Sequence, residues 1–273
     1  MKFSNFTIKT SAFLCSSILL VLSLFGCSSS TKEKNINNKT RILYEDVAEV
    51  SIFKKDYDQL IQLPLILNKK TDNIAVENYD GENFNKDAID FKCVLDSSID
   101  DEQYCYILTL SFNANELLKN DKNAIIDTID LKIDNEHFKY KFGTAEIINK
   151  TISNEGTDIQ YKSLATGYEI LSTIHCSFTA NKAVTIDSIN STNNITFSIQ
   201  DEYTGNLKEE SFRDCDLIIE SPENYDKLYY CFDLFVNYKS GDQDKTFYYD
   251  TMDIQTSIKN RFPIYVDLQK ESK

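Results

Sequence analysis

The sequence predicts an all-β protein of two tandem Ig-like antiparallel β-sandwiches, which follow a cleaved signal helix and a flexible tether. Apolar and polar residues alternate strictly in many short segments, a pattern typical of strands with one buried face. Polar turns separate these segments, as expected for antiparallel sandwiches. The pattern of the first half recurs in the second half, which indicates two copies of one unit.

The first predicted sandwich covers residues 42–152. Alternation marks its strands at residues 61–67, 89–95, 106–112, 129–133 and 138–142. The last two of these predict a hairpin that turns at residues 134–137 and has lysines on its solvent face. Residues 113–120 predict one helical turn.

The second predicted sandwich covers residues 153–273. Its alternating segments are residues 170–178, 184–189, 195–199, 215–219, 228–238 and 262–268. Ser221-Pro222-Glu223 has the pattern of a helix start. Chance similarity is the alternative to a true repeat, because any two alternating strands look alike.

Two matches between the halves carry the predicted duplication. Residues 57–67 match residues 168–178, and the segment from Cys93 to Tyr106 matches the segment from Cys215 to Phe232. If the repeat is real, the boundary lies near residues 153–166, where polar residues interrupt the alternation.

The first 26 residues have the parts of a secretory signal. Lys2 and Lys9 precede an apolar run at residues 12–25, which ends in Leu24-Phe25-Gly26-Cys27. The run is too short for a membrane-spanning helix, which needs about 20 apolar residues. The alternative interpretation is an ordinary secretory signal in which Cys27 is incidental.

The segment from Leu24 to Cys27 resembles the lipobox of bacterial prolipoproteins. The resemblance implies that the Cys27 thiol receives a diacylglyceryl group, that a peptidase cuts between Gly26 and Cys27, and that the new amine is acylated, for example with palmitate. Two or three acyl chains anchor a protein firmly to a membrane. Residues 27–41 are then a tether, because this polar stretch cannot bury enough surface to fold alone.

The composition is acidic, with a net charge of −14. Removal of the signal takes away Lys2 and Lys9 but no acid, so the net charge becomes −16. Such a surface repels phosphate backbones and anionic headgroups, which argues against nucleic-acid binding. It attracts cations and basic peptides, or it simply keeps an exported protein soluble. The abundance of Lys, Asn and Ile favours a Gram-positive host.

The cysteines after Cys27 are odd in number: Cys93, Cys105, Cys176, Cys215 and Cys231. Pairing Cys93 with Cys105 and Cys215 with Cys231 is the obvious disulfide scheme. Side-chain parity places the partners of each pair on opposite strand faces, which disulfide geometry does not allow without a bulge. We therefore expect mostly reduced cysteines, with Cys93, Cys176 and Cys215 packed as small core residues.

Acidic turns give the only metal candidates. One predicted turn contains Asp96, Asp100, Asp101 and Glu102, and another contains Asp80, Glu82 and Asp87 around Gly81. Calcium takes oxygen ligands from such loops, but the spacing of an EF-hand is missing. His137 in a predicted turn and His175 are the only histidines, so we expect no zinc site and no cofactor.

No catalytic motif was found, so we expect a binding or structural module for an envelope protein or peptide and not an enzyme. The lipid anchor places it on the extracytoplasmic face of the cell membrane. Two alternatives remain: an immunity-like lipoprotein that sequesters cationic peptides, and a hydrolase whose carboxylates meet only in three dimensions. The aromatic clusters at residues 229–230 and 247–249 contain both strand faces, and we expect neighbouring layers to cover them.

Overall fold

The computed structural model describes residues 39–100, 103–166, 173–199, 206–207, 212–220 and 226–255. The signal segment with Gly26 and Cys27, residues 28–38 of the tether, and the predicted elements at residues 221–223 and 262–268 lie outside these residues. In the part of the chain that is described, no helix is long and apolar enough to cross a membrane.

The fold is all-β, which confirms the predicted class. Its strands are β1 (Ala48–Phe53), β2 (Asp58–Leu67), β3 (Ile74–Glu82), β4 (Ile89–Asp100), β5 (Gln103–Asn113), β6 (Ala124–Ile133), β7 (Glu136–Ile148), β8 (Ile159–Thr166), β9 (Thr173–Ala180), β10 (Val184–Ser191), β11 (Phe197–Ile199), β12 (Asn206–Leu207), β13 (Phe212–Ile219), β14 (Tyr229–Ser240) and β15 (Gln243–Gln255). A 3₁₀ turn spans Lys86–Ala88, and the predicted helical turn is present as α1 (Ala114–Leu117).

The first sandwich consists of β1 to β7. One layer has the strand order β1-β7-β6-β3, and the other has the order β2-β5-β4. In an Ig domain, the third, sixth and seventh strands form one layer, and the second, fourth and fifth strands form the other. The first sandwich has this division. The β6–β7 hairpin has the predicted facing pairs, such as Leu131 with Phe138. His137 lies on β7, not in the turn, because β7 already begins at Glu136.

The second sandwich consists of β8 to β15. Its layers are β8-β9-β13-β11 and β15-β14-β10-β12. If the two-residue strand β12 is left out of the count, this is again the Ig division: the first, second, fourth and fifth strands lie in one layer, and the third, sixth and seventh lie in the other. The strand order thus shows the two tandem sandwiches that the sequence predicts. The exact boundary between residues 152 and 153 stays a prediction, and it falls within residues 149–158, which contain no strand.

β1 joins the two sandwiches into one continuous eight-stranded sheet. It runs parallel to β7, from Ala48 opposite Gly143 to Phe53 opposite Ile148. On its other edge it runs parallel to β14, where Ser51 lies opposite Phe232. Both pairings are exceptions to the antiparallel rule that the other ladders follow. The alternation pattern missed β1 because five of its six residues are buried, so its two faces do not differ in polarity.

β14 contributes one face to each hydrophobic core. Tyr229 and Cys231 pack into the core of the first sandwich, whereas Tyr230 and Phe232 pack into the core of the second. Both faces of the strand are therefore buried from Tyr229 to Leu234. The aromatic residues that sequence reasoning placed on two strand faces are covered here because β14 lies between two cores.

Candidate functional site

The C-terminal ends of β1 and β10 meet beside β14 at Asp233. The ladder between β1 and β14 ends at Phe232, and the ladder between β10 and β14 reaches Leu234. Asp233 is the residue between these two ladders, and a β-bulge between Asp233 and Phe235 interrupts the pairing with β15. Bulges redirect side chains and terminate pairing, so this position is built to carry a specific contact.

The Asp233 carboxylate accepts hydrogen bonds at the point where the backbone ladder between β1 and β14 stops. Its Oδ2 accepts a hydrogen bond of 2.5 Å from the backbone N of Phe53, and its Oδ1 accepts one of 2.7 Å from Thr251 Oγ1. Lys55 Nζ lies 3.0 Å from Oδ1, with side-chain exposures of 6% for Lys55 and 0% for Asp233. Burial raises the pKa of Asp233, although the charge of Lys55 opposes that shift.

Thr192 completes the junction from the side of β10. Its backbone N donates to Asp233 O at 3.1 Å, and its Oγ1 accepts from Asp233 N at 3.0 Å. The same Oγ1 also donates to Ser51 O, and Ser51 Oγ donates to Thr192 O at 3.1 Å. These bonds satisfy the backbone groups that a meeting of two strand ends would otherwise leave unpaired.

Gln59 holds the turn that follows β1. Its Nε2 donates to Phe53 O at 3.0 Å, and its Oε1 accepts from Lys55 N at 3.1 Å. Gln59 is itself buried. The turn is therefore fixed at both ends, so the positions of Lys54 and Tyr57 are defined by the scaffold.

A cleft of about 370 Å³ opens next to this turn, and we call it the junction cleft. It lies between the turn after β1, the segment after β7 and strand β15. Its lining residues are Lys54, Lys55, Asp56, Tyr57, Thr151, Ile152, Asn154, Tyr248 and Tyr249. Parts of both sandwiches and the segment that connects them thus contribute to one concave surface.

Tyr248, which lines the junction cleft, belongs to a cluster of aromatic rings. The Phe53 ring meets the Tyr248 ring edge-on at 5.6 Å, and Phe235 packs 6.5 Å and 6.1 Å from these two rings. Lys150 Nζ lies 5.4 Å from the centre of the Phe53 ring and 5.3 Å from that of Tyr248. It also donates a 2.9 Å hydrogen bond to Tyr248 Oη. The two rings and the hydroxyl therefore hold the Lys150 ammonium in place.

Asn154 attaches the connecting segment to the outer edge of β15. Its Nδ2 donates to Tyr248 O at 2.8 Å, and its Oδ1 accepts from Tyr248 N at 2.9 Å. The side-chain amide thus bonds Tyr248 as the backbone of a neighbouring strand would. This contact fixes Tyr248 and the segment around Thr151 relative to each other.

The charged residues that line the junction cleft are Lys54, Lys55 and Asp56, and Lys150 lies beside it on the Tyr248 ring. Lys55 is neutralised by Asp233, but no carboxylate of the described residues lies within 4 Å of the ammonium of Lys54 or Lys150. Asp56 is the one acidic residue among those that line the cleft. With Lys55 paired to Asp233, the charges of Lys54 and Asp56 are the ones left in the lining, and they are opposite in sign.

Two of the four acidic residues proposed as calcium ligands lie on a strand and not in a turn. Asp96 and Asp100 lie on β4, because this strand extends to residue 100 and leaves only residues 101–102 for the turn. The interpretation of all four as turn residues was therefore wrong for these two, while Asp101 and Glu102 lie outside the described residues. In the described ranges, no group of three or more His, Cys, Asp or Glu side chains could hold a metal ion.

One residue of the second acidic group, Asp80, takes part in ion pairs. Asp80 lies on β3, 2.6 Å from Lys139 Nζ and 4.0 Å from Lys86 Nζ. The hydrogen bond from Lys139 lowers the pKa of Asp80. On the same sheet, His137 Nδ1 lies 2.6 Å from Glu77 Oε2. These contacts belong to an exposed sheet face and leave Asp80 with its charge already compensated.

The cysteines of the disulfide scheme that parity argued against occupy different positions in the fold. Cys93 and Cys105 lie on the adjacent strands β4 and β5, and both are free thiols, as is Cys231. Cys215 lies on β13, in a different sheet from Cys231 on β14, and the backbone register places it opposite Cys176. The side chains of Cys176 and Cys215 lie outside the described residues. The cysteine match between the two halves is thus offset by one strand.

Sequence reasoning missed the junction cleft because its residues lie far apart in the chain and outside alternating segments. The available signal was the sequence Lys54-Lys55-Asp56-Tyr57, two adjacent lysines and an aromatic residue in an otherwise acidic chain.

No protein-family model matches this chain, and no curated protein matches it. A solved structure titled BspA_C_WT aligns with 80% of this chain and 99% of its own chain, at 10% sequence identity and a TM-score of 0.17. A TM-score of this size does not indicate a shared fold. The Ig-like assignment therefore rests on the strand order.

Proposed function

We propose that this protein is a lipid-anchored binding module on the extracytoplasmic face of a bacterial membrane, and that the junction cleft contacts an envelope protein or peptide. The pattern of residues 12–27 supports the anchor, because a lipobox-like end follows a short apolar run. The polar tether then lets the folded part reach partners at the membrane surface.

The single observation that carries the proposed contact is the junction cleft itself. Its volume of about 370 Å³ lies within the range of pockets that hold ligands. Tyr57 is 54% exposed at its rim, and exposed tyrosines are enriched in interfaces. Hydrogen bonds hold the side chains of the Asp233 junction beneath the cleft. The surface is therefore formed before a ligand binds, and little conformational entropy is lost on binding.

Photo-cross-linking on intact cells tests this function. A photo-reactive amino acid at position 57 should cross-link one discrete partner that mass spectrometry identifies and that binds again when purified. The matched control is the same amino acid at position 94, because Val94 is 63% exposed but does not line the cleft. Identical adducts from both positions, or none from position 57, would contradict the proposal.

The anchor needs a separate test. Replacement of Cys27 with Ala should release the protein from membranes or leave it unprocessed. Normal processing and membrane retention of this variant would contradict the lipid anchor while leaving the cleft untouched.

A further inference from the structure

We propose that a second cleft binds a basic peptide segment, with an arginine or lysine side chain held by Glu49 and Glu146. This cleft has a volume of about 350 Å³ and shares no lining residue with the junction cleft. Its lining lies within residues 46–51, 144–146 and 192–194 and includes Lys227. We call it the corner cleft, because the turn after β10 meets β1 there.

The register of β1 and β7 brings the two carboxylates to one face of the sheet. Glu49 lies opposite Thr144, and Ser51 lies opposite Glu146. Val50, between the first two β1 residues, packs into the first core, so Glu49 and Ser51 point to the other face. Neighbouring strands are about 4.8 Å apart and each residue rises about 3.3 Å, which places the Cα atoms of Glu49 and Glu146 about 8 Å apart. One cationic group between these side chains can therefore contact both.

The second sandwich contributes the other wall of the corner cleft. Ser51 Oγ donates to Thr192 O at 3.1 Å, which fixes the turn after β10 on β1. Asn193 in this turn lines the cleft and is 8% exposed. Its Oδ1 accepts from Ser191 Oγ at 2.9 Å, but its buried Nδ2 has no hydrogen-bond partner in the described part of the chain. Buried polar groups are normally hydrogen-bonded, so this amide indicates a further group at the cleft.

The charges that line the corner cleft favour a cation. Asp46, Glu49, Glu146 and Lys227 are its charged residues, and three carboxylates with one ammonium give a net charge of −2. Lys227 is already neutralised, because its Nζ lies 2.6 Å from Asp46 Oδ2 and 3.5 Å from Asp226 Oδ1. The cleft is therefore electrostatically complementary to a basic group.

Glu49 and Glu146 are the carboxylates that remain for a ligand. The Glu49 carboxylate has no hydrogen bond and no ion pair within 4 Å in the described ranges. Burial raises the pKa of Glu49, although the charge of Lys227 opposes that shift. Glu146 Oε1 accepts one hydrogen bond of 2.7 Å from the neutral amide of Asn123. Hydrogen bonds from a cation to a carboxylate are about twice as strong as neutral ones, so a guanidinium or ammonium is the group that fits both.

Asn193 distinguishes a peptide from a bare cation. Its Nδ2 is a donor and needs an acceptor, which neither a metal ion nor an ammonium ion carries. A basic peptide carries both kinds of group, because its side chain is cationic and its backbone carbonyls accept hydrogen bonds. A volume of about 350 Å³ holds an arginine side chain with its adjoining backbone. The corner cleft thus gives the alternative of cationic-peptide binding a specific place on the acidic chain.

The test uses the processed full chain in non-ionic detergent micelles. The probe is N-acetyl-Gly-Arg-(4-benzoyl-Phe)-amide, and the control probe carries citrulline, an uncharged isostere, in place of arginine. After irradiation, mass spectrometry maps the labelled positions, and a concentration series gives the half-maximal labelling concentration. We expect the Arg probe to label residues within 46–51, 144–146 or 192–194 at a concentration about tenfold lower than the citrulline probe needs.

Variants and salt separate the corner cleft from the acidic surface in general. Glu49→Gln and the double variant Glu49→Gln/Glu146→Gln should need progressively more Arg probe, and the double variant should match the citrulline probe. The control Glu82→Gln/Glu116→Gln removes two exposed carboxylates that do not line the cleft and should change nothing. Raising the salt from about 0.05 M to about 0.5 M should weaken only the Arg probe, because screening shortens the reach of exposed charges.

Three outcomes would overturn the inference in distinguishable ways. Equal labelling by both probes would reject recognition of a cation. An equal loss of labelling in the two double variants would assign the binding to general attraction by the acidic surface and reject the corner cleft. Equal competition by methylguanidinium at the same concentration as an unlabelled Arg peptide would reject a peptide ligand. None of these outcomes bears on the junction cleft, so the proposed function is tested separately.

Discussion

Lys55 Nζ lies 3.0 Å from Asp233 Oδ1 in the interior of the protein. The first residue follows β1 of the first sandwich, and the second lies on β14 of the second sandwich. The ion pair therefore connects the two sandwiches at the point where the ladder between β1 and β14 ends. It also fixes the turn whose residues Lys54 and Tyr57 line the junction cleft.

Replacement of Lys55 with Met should strongly destabilise the protein. The change leaves the carboxylate of Asp233 buried without its counter-charge, and breaking a buried pair in this way costs about 3 to 5 kcal/mol. Urea unfolding measures the free-energy loss. Lys54→Met is the neighbouring control and should change the free energy of unfolding by less than about 0.5 kcal/mol.

The loss of stability in Lys55→Met should depend on pH. Burial raises the pKa of Asp233, and a carboxyl with a raised pKa favours the folded state at low pH, a contribution that is lost as the pH rises through the folded pKa. The loss in Lys55→Met should therefore be smaller near about pH 4 than near about pH 7, because protonation removes the unpaired charge. A loss that is independent of pH would show that Asp233 is not the group left unpaired.

The contributions of Lys55 and Asp233 to the free energy of unfolding should also be coupled. If Lys55→Met and Asp233→Asn act through one interaction, the double variant loses less stability than the sum of the single losses, by about 1 to 3 kcal/mol. Additive losses in the double-mutant cycle would mean that the two residues stabilise the fold independently.

Gly143 is required where β7 approaches β1. Its φ is +125°, and a Cβ at this position would lie 2.0 Å from Ala48 O, so the backbone of β1 would have to move. Gly143→Ala should therefore cost about 3 kcal/mol or more. Gly156→Ala is the control, because its φ is +70° with open space around it, and the left-handed conformation alone costs about 1 to 2 kcal/mol. Equal midpoints of thermal unfolding for the two variants would refute the close approach.

Asp158 bonds the connecting segment to Lys245 on β15, and the stability that this contact contributes should be lost in acid. The hydrogen bond from Lys245 Nζ, at 2.7 Å, holds the pKa of this buried carboxyl at about 2. A lowered pKa stabilises the folded state above the unfolded pKa, and the stabilisation is lost as the pH falls toward about 2. Asp158→Asn should thus cost about 1.5 kcal/mol near neutral pH and progressively less in acid.

The control for Asp158 is an ion pair on the surface. Asp187 lies 3.9 Å from Lys239 Nζ and both side chains are exposed, so Asp187→Asn should change stability by less than about 0.5 kcal/mol at any pH. A similar pH profile for the two variants would show that general acid effects, and not the contact with Lys245, explain the loss.

The thiols of Cys93, Cys105 and Cys231 should react slowly in the native protein. Burial raises the pKa of Cys93 to about 11 and that of Cys105 to about 12, and it raises the pKa of Cys231 as well. Only the thiolate is nucleophilic, and it is at most about one part in a thousand of the Cys93 thiol at about pH 8. Alkylation of the denatured, unreduced protein should modify all three, and a peptide linking Cys93 to Cys105 would contradict the free thiols.

The strands that could be predicted from the sequence are those with one wet face. The hairpin of β6 and β7 has this property, since Tyr140 and Phe142 are buried while Lys139 and Lys141 are exposed. β1 could not be predicted in the same way, because both of its faces are covered and its apolar residues do not alternate. The element that joins the sandwiches is therefore the one whose pattern is weakest.

The duplication was predicted correctly as an architecture and incorrectly in part of its alignment. β2 and β9 are each the second strand of their sandwich, as the first match required. The cysteine match fails because β4 and β5 form a hairpin, whereas β13 and β14 belong to different sheets. Alternation repeats every two residues in each strand, so it cannot tell one strand of a sandwich from the next.

The junction cleft was beyond prediction from one sequence. Tyr57, Asn154 and Tyr248 come from three separate parts of the chain, and only the pairing of β1 with β14 brings them together. A single sequence does not show which strands pair over such separations.

Cross-linking on intact cells from position 57, compared with position 94, tests the central claim most directly. Tyr57 lines the junction cleft, whereas Val94 is exposed on the first sandwich and does not line it. The account predicts one discrete partner adduct from position 57 that position 94 does not give. The same adducts from both positions, or none from position 57, would contradict a partner site at the junction cleft.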